Sequence, residues 1–345
     1  MGTLKFLLIT WLKRSSKTAQ KVGGFTLLEL LVGLVLAFLI ITPLLGFVIN
    51  IMNTDRQEQA KTNSEQEIQS AMEYISRDLQ QSVYIYDQSA LDNNHSTDPN
   101  SSGIRDQLPD LGANGEPVLV FWKRKLIENA LPTGGLTAND CLNPQLNAQC
   151  NDTYVYSLVG YYLIKGNTTA ANLPWSRTAR IGRFEIQDGV PNPQNPDDFL
   201  IEPDQGFKLF SLSKTGSIAQ SMNQWQKNGN FTPDKLPQNN ILIDYIDQTP
   251  TTVDADPVPF EACPPDPDPG DGDPEWTQVP STSETFSFYA CVRSAKNTAR
   301  VYIRGNALAR ISPSNNPPTY TAAQSSFFPK ARIEVKSRAS LGTGG

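Results

Sequence analysis

The chain has 345 residues, 39% of them hydrophobic, so it can bury a sizeable core. Its net charge is −6, but the charge is split: five of the 29 basic residues and none of the 35 acids lie in the first 24 positions. The remainder is therefore acidic, at net −11, which excludes a nucleic-acid binder built on a basic footprint.

The basic start holds Lys5, Lys13, Arg14, Lys17 and Lys21, with a short apolar patch, "LKFLLITWL", too short to span a bilayer. It ends in "KVGG". From Phe25 to Thr54 the only charged residue is Glu29. That run exceeds the roughly 20 apolar residues that cross a bilayer core. A basic N-terminal flank predicts a cytoplasmic N-terminus and a single pass. Pro43 inside the run is expected to kink or locally melt the helix.

The helical pattern continues past the apolar run. Ile68, Met72, Ile75, Leu79, Val83 and Tyr86 recur at spacings of three and four, the stripe of an amphipathic helix. Glu65, Glu67, Glu73, Arg77 and Asp78 are assigned to its other face. One helix is thus expected from about Phe25 to about Tyr86, and a polar connector from Asp87 to Pro117.

Strand-like runs follow, rich in β-branched and aromatic residues: Val118–Ile127, Thr153–Lys165, Arg180–Gln187, Glu284–Ala295, Ala299–Leu308 and Lys330–Arg338. "KNT" joins the fourth and fifth as a hairpin. Ile218–Gln226 reads as a short helix. Gln248–Pro280 holds eight acids, no bases and many prolines, and reads as a loop or insertion. The fold class is α+β: a long N-terminal transmembrane and amphipathic helix, then a large antiparallel β-rich head.

The boundary at Gly24 carries the most specific signal. An ordinary secretory signal is cut after its apolar core. Here the basic leader precedes the core, and a cut after Gly24 leaves the apolar helix on the mature chain. "GFTLLELLVGLVLAFLI" resembles the prepilin signal of type IV pilins and pseudopilins. "AMEYISRDLQQSVYI" is similar to the start of the head in minor pilins. "VFWKRK", "FYACVR" and "ARVYIRGNALARI" look like pseudopilins associated with polysaccharide secretion in gliding filamentous cyanobacteria.

The resemblance implies a leader at 1–24, a transmembrane and assembly helix at 25–54, an amphipathic helix packed on the head at 55–90, and an extracytoplasmic head at 91–345. It implies cleavage by a prepilin peptidase between Gly24 and Phe25, with Phe25 becoming N-methylated. It implies residence in the inner membrane until the chain enters a pilus or pseudopilus. The implied partners are other pilins or pseudopilins, the inner-membrane assembly platform and exported polysaccharide.

Intramembrane acids are usually paired and functional. Glu29 lies one turn from Phe25, whose amine becomes positive after cleavage, so the amine of one subunit can meet Glu29 of its neighbour and set register. The bland alternative is a hydrated Glu at the headgroup boundary.

Four cysteines, Cys141, Cys150, Cys263 and Cys291, form no CxxC pair. Outside the cytoplasm they can form disulfides. Cys141 with Cys150 and Cys263 with Cys291 is the expected pairing, one of three; four unpaired buried thiols is the alternative. Asp266, Asp268, Asp271 and Asp273 could supply oxygens to Ca²⁺, but the prolines disturb EF-hand spacing, so a solvated acidic loop is expected and no cofactor is assigned.

Enzyme readings have little support. His95 is the only histidine, and a Ser–His or Cys–His site would have to use it. No phosphate-binding glycine loop is present, and no pair among the acids is singled out for glycosidase work. Trp122, Trp175, Trp225 and Trp276 are expected in the core, with sugar stacking as the alternative. The function expected is that of a minor pilin or pseudopilin. The other class considered is a single-pass, membrane-anchored carbohydrate-binding or hydrolysing protein.

Overall fold

In a computed structural model of the chain, the described residues are 24–134, 136–137, 140–141, 150–166, 174–213, 216–251, 258–265, 275–312, 316–339 and 341. The chain divides into two units, Met1–Asp55 and Arg56–Gly345.

The described part of the first unit is mostly helix. α1 (Leu27–Gln80) starts here and continues into the second unit. It is long and apolar enough to cross a membrane. The large apolar side chains from Phe25 to Met52 are all exposed. A helix that is apolar all round needs an apolar surrounding. The 28 residues from Leu27 to Thr54 give a length of about 42 Å at 1.5 Å per residue, against about 30 Å of bilayer hydrocarbon. α1 runs unbroken through Pro43, so the expected local melting does not occur. Thr42 Oγ1, next to it, donates to the Phe38 carbonyl at 2.8 Å.

The second unit holds the rest of α1 and the strands. The predicted stripe is buried over Ile68, Met72, Ile75 and Leu79. It stops there, because the helix ends at Gln80 and Val83 lies in β1 (Ser82–Ile85). The Ser82 hydroxyl donates to the Leu79 carbonyl at 2.7 Å, closing the end. All four β1 residues are buried. A fully buried strand has no alternation to set it apart from a helical stripe, which is why the helix read as reaching Tyr86.

The expected polar connector is partly core. It opens on α2 (Gln88–Asp92), capped by Asp87, whose carboxylate accepts from the Ala90 amide at 3.1 Å. Ala90, Leu91, Ile104 and Leu108 are buried. β2 (Gly115–Leu131), β3 (Asn151–Ile164) and β4 (Ala179–Gln187) follow, then the hairpin β5 (Val190–Asn192) and β6 (Asn195–Ile201). α3 (Ile218–Asn223) is the short helix read from sequence, closed by a capping box between Ser217 and Gln220. β7 (Ile241–Ile246) completes a five-stranded antiparallel sheet in the order β1-β2-β3-β4-β7.

β8 (Thr277–Val279), β9 (Phe288–Arg293), β10 (Thr298–Arg304) and β11 (Lys330–Lys336) form a second sheet, ordered β11-β10-β9-β8. β8 lies inside Gln248–Pro280, the stretch that reads as a loop or insertion in the sequence. β9 and β10 make the hairpin at "KNT", where Asn297 takes the left-handed conformation (φ 46°). α4 (Leu308–Ile311) sits between β10 and β11.

Alternation divides β2 between two faces. On one face Trp122 is fully buried and meets Phe207, Phe210 and Trp225 edge-on at 5.0–5.8 Å between centroids. Its indole N–H donates to Tyr86 Oη, which in turn donates to the Met222 carbonyl. On the other face Lys123 reaches α1. In the second sheet Phe288, Ala290, Val292, Val301 and Ile303 join the main core, while Tyr289, Cys291 and Tyr302 form a separate cluster on the opposite face.

Candidate functional site

The predicted processing and assembly residues are at the start of α1. Gly24 and Phe25 are exposed, and Phe25 is 79% accessible. Thr26 and Glu29 form a reciprocal capping box. The Glu29 amide donates to Thr26 Oγ1 at 3.2 Å, and the Thr26 amide donates to the Glu29 carboxylate at 3.4 Å. Helices begin with unsatisfied N–H groups, so "T-L-L-E" supplies its own start signal. The box also holds the Glu29 side chain: its carboxylate is aimed back at Thr26, the residue next to Phe25. The sequence reading placed Glu29 here and missed the box, although the T-x-x-E spacing displays it.

What fastens the end of α1 to the sheet is a buried charge cluster that the sequence reading missed. The helical pattern assigns Asp78 to the face opposite the apolar stripe, yet it is 8% accessible. It lies three residues after Ile75, so it faces the sheet as the apolar stripe does. Its carboxylate accepts from Lys123 Nζ at 2.7 Å, Tyr161 Oη at 2.7 Å and Arg183 at 2.8 and 3.0 Å. Arg183 also pairs with Glu185 at 2.7 Å, and Lys123 and Lys125 each lie 3.4 Å from Glu185. Burial by itself would raise the Glu185 pKa; Arg183, Lys123 and Lys125 outweigh it and hold the group down at about 2. Burial likewise opposes the charge on Arg183, and Asp78 and Glu185 reverse that, raising its pKa. Asp78, Lys123, Arg183 and Glu185 each have an opposite partner and a hydrogen bond, the condition under which buried ions are tolerated.

A second buried pair ties β10 to the chain after β7. Arg304 Nε donates to Asp247 at 2.8 Å, and its other nitrogens donate to the carbonyls of Pro259 and Thr285.

Both cysteine pairs are bonded: Cys141 to Cys150, and Cys263 to Cys291. The second bond fastens the segment 258–265 over the outer face of the second sheet. There Glu261 also pairs with Arg332 at 2.6 Å, and Tyr289 Oη donates to the Glu261 carbonyl at 2.9 Å. The described part of the acidic stretch is thus pinned to the sheet. Asp266, Asp268, Asp271 and Asp273 lie outside the described residues, as does the leader up to residue 23. Among the described residues no three His, Cys, Asp or Glu side chains converge as a metal site would require.

The remaining candidates separate by burial. Trp122 and Trp225 are core residues, and Trp225 donates its indole N–H to the Lys208 carbonyl at 2.6 Å. Trp276 is half-buried, with the Arg300 guanidinium 5.9 Å from its ring. Trp175 is 39% accessible. His95 donates its backbone N–H to Asp106 at 2.7 Å, and its ring Nδ1 is buried without a hydrogen-bond partner. All four cysteines are in disulfides, so none is free to act as a nucleophile.

The arrangement can do two things chemically. The start of α1 offers an apolar surface with one carboxylate at its end. The second unit offers a compact disulfide-bonded body. A long apolar N-terminal helix followed by an antiparallel β head is compatible with a pilin-like architecture. No family model matches the chain, and neither does any curated protein or solved structure.

Proposed function

We propose that this chain is a minor pilin or pseudopilin, a structural subunit rather than an enzyme. The observation that carries the reading is the conjunction at the start of α1. A Gly-Gly-Phe boundary is followed one turn later by a lone carboxylate, at the start of a helical stretch whose large apolar side chains are all exposed as far as Met52. A plain anchor needs no carboxylate, and removing one from water without a partner is costly.

After cleavage at Gly24, the new Phe25 amine is positive. In a bundle of such helices, the amine of one subunit approaches Glu29 of the next, and both charges are neutralised in a low-dielectric surrounding where the attraction is strong. The pair sets axial register, and the apolar surface supplies the packing. Before assembly, the capping box with Thr26 holds the Glu29 carboxylate.

In this reading the basic leader keeps the N-terminus in the cytoplasm, the helix waits in the inner membrane, and the disulfide-bonded body lies outside the cytoplasm. The partners are other pilins or pseudopilins, a prepilin peptidase and an assembly platform. Support for polysaccharide export is the finer form of the proposal and rests on the sequence resemblance. The test is expression with and without a prepilin peptidase. Shortening of the chain by the leader only when the peptidase is present supports the reading; identical chain lengths in the two cultures refute it.

A further inference from the structure

A groove of about 900 Å³ runs between α1 and β7, wholly within the second unit. One wall is a helical stripe, Asn63, Gln66, Ser70 and Tyr74, exposed at spacings of three and four. From Asn63 to Tyr74 the helix rises about 16 Å, long enough for several sugar rings. The other wall is β7 with Trp175 and Ser176.

Two large rings face solvent here: Trp175 at 39% and Tyr74 at 43% accessible. Both are positioned. The Arg183 guanidinium sits over the Tyr74 ring at 5.4 Å and is itself fixed by Asp78 and Glu185. Next to Trp175, the Ser176 amide and hydroxyl both donate to Asp244 of β7 at 2.7 Å. An exposed aromatic ring whose backbone is tied down binds at low entropic cost, because little remains to be ordered.

The charged groups of the groove are occupied. Glu67 pairs with Arg310, and Asp244 accepts from Ser176 and from the Tyr245 amide. Asn63, Gln66 and Ser70 are left as neutral donors and acceptors. An anionic ligand would meet Glu67 and Asp244; an apolar one would leave the amides unsatisfied. Neutral hydroxyls on rings with apolar faces match both features.

We propose that this groove binds a neutral glycan chain, with Trp175 and Tyr74 stacking on sugar rings and Asn63, Gln66 and Ser70 bonding hydroxyls. The site goes beyond the assembly reading and does not require it, since it lies entirely in the second unit.

The test uses the full chain in lipid nanodiscs, which avoids sugar-headed detergents. Cellohexaose, laminarihexaose, maltohexaose and mannohexaose are titrated by calorimetry and tryptophan fluorescence, with hexaproline as a peptide that also stacks on exposed aromatics. At least one hexasaccharide should bind saturably. Trp175→Ala and Tyr74→Ala should each weaken it about tenfold or more, with unchanged thermal unfolding. No saturable sugar binding, binding that survives both substitutions, or binding of hexaproline instead of the sugars overturns the proposal. Failure here leaves leader cleavage untouched, and failure of cleavage leaves this site untouched.

Discussion

The Asp78 carboxylate at the end of α1 lies 2.7 Å from the Lys123 ammonium of β2, with only 11% and 7% of the two side chains accessible. The residues sit on different elements, 45 positions apart, and their contact fixes how the last turns of α1 lie on the sheet. Removing one partner of a buried pair leaves the other charge uncompensated. Asp78→Ala should therefore cost about 3–5 kcal/mol of unfolding free energy in the second unit, measured by denaturant titration followed by tryptophan fluorescence. Asp78→Asn keeps hydrogen-bond acceptance and should cost less. A loss under 1 kcal/mol for the alanine variant would place the helix anchorage in the apolar stripe alone.

Glu185 gives a pH prediction of definite sign. Its folded pKa of about 2 lies below the usual 4.5. A depressed carboxylate contributes stability that is present above its unfolded pKa and is lost as pH falls through the folded value. The shift corresponds to about 3 kcal/mol. Glu185→Gln should thus be less stable than the parent at pH 7, and the two should converge between about pH 4.5 and pH 2. Parallel stability curves across that range would contradict the account of the cluster.

The bond between Cys263 and Cys291 closes a 28-residue separation. Loop-closure entropy of that length predicts about 3–4 kcal/mol of stabilisation. The paired substitution Cys263→Ser with Cys291→Ser should lower the unfolding midpoint of the second unit, and reductant should lower the parent's midpoint by more than the variant's, which keeps only the Cys141–Cys150 bond to lose. An unchanged midpoint in the double variant would show that Glu261 and Tyr289 hold the segment without the bond.

Much of this was legible in the sequence for identifiable reasons. Ile68, Met72, Ile75 and Leu79 repeat at helical spacing on a half-buried helix, so periodicity located them. The long strands β2, β3, β4, β9, β10 and β11 are rich in β-branched and aromatic residues. β1 was lost because its four residues are all buried and extend the phase of the helical stripe. β7 was lost in a polar, proline-flanked region, and β8 is only three residues long within an acidic stretch. Asp78 was misplaced because a charge is expected on the wet face; its partners lie on β2, β3 and β4, which no local pattern brings to α1. The Tyr74–Trp175 groove is invisible for the same reason, its walls being about 100 residues apart.

At the start of α1, Glu29→Ala should leave leader removal intact and impair incorporation into filaments, scored by immunoblot of sheared filament fractions against whole cells. Thr26→Ala, which removes one arm of the capping box, should have a smaller effect. Normal incorporation of the Glu29 variant would sink the register role. A bulky charged substitution, Gly24→Glu, should instead leave a full-length precursor in the membrane.

The central claim is that the conspicuous apolar helix begins the mature chain and is an assembly surface as well as an anchor. The most direct test is the N-terminal residue of the protein purified from its native membrane, read by tandem mass spectrometry. The account predicts an N-methylated Phe25. A mature chain that keeps Met1 and the basic leader, or begins beyond Glu29, would contradict it.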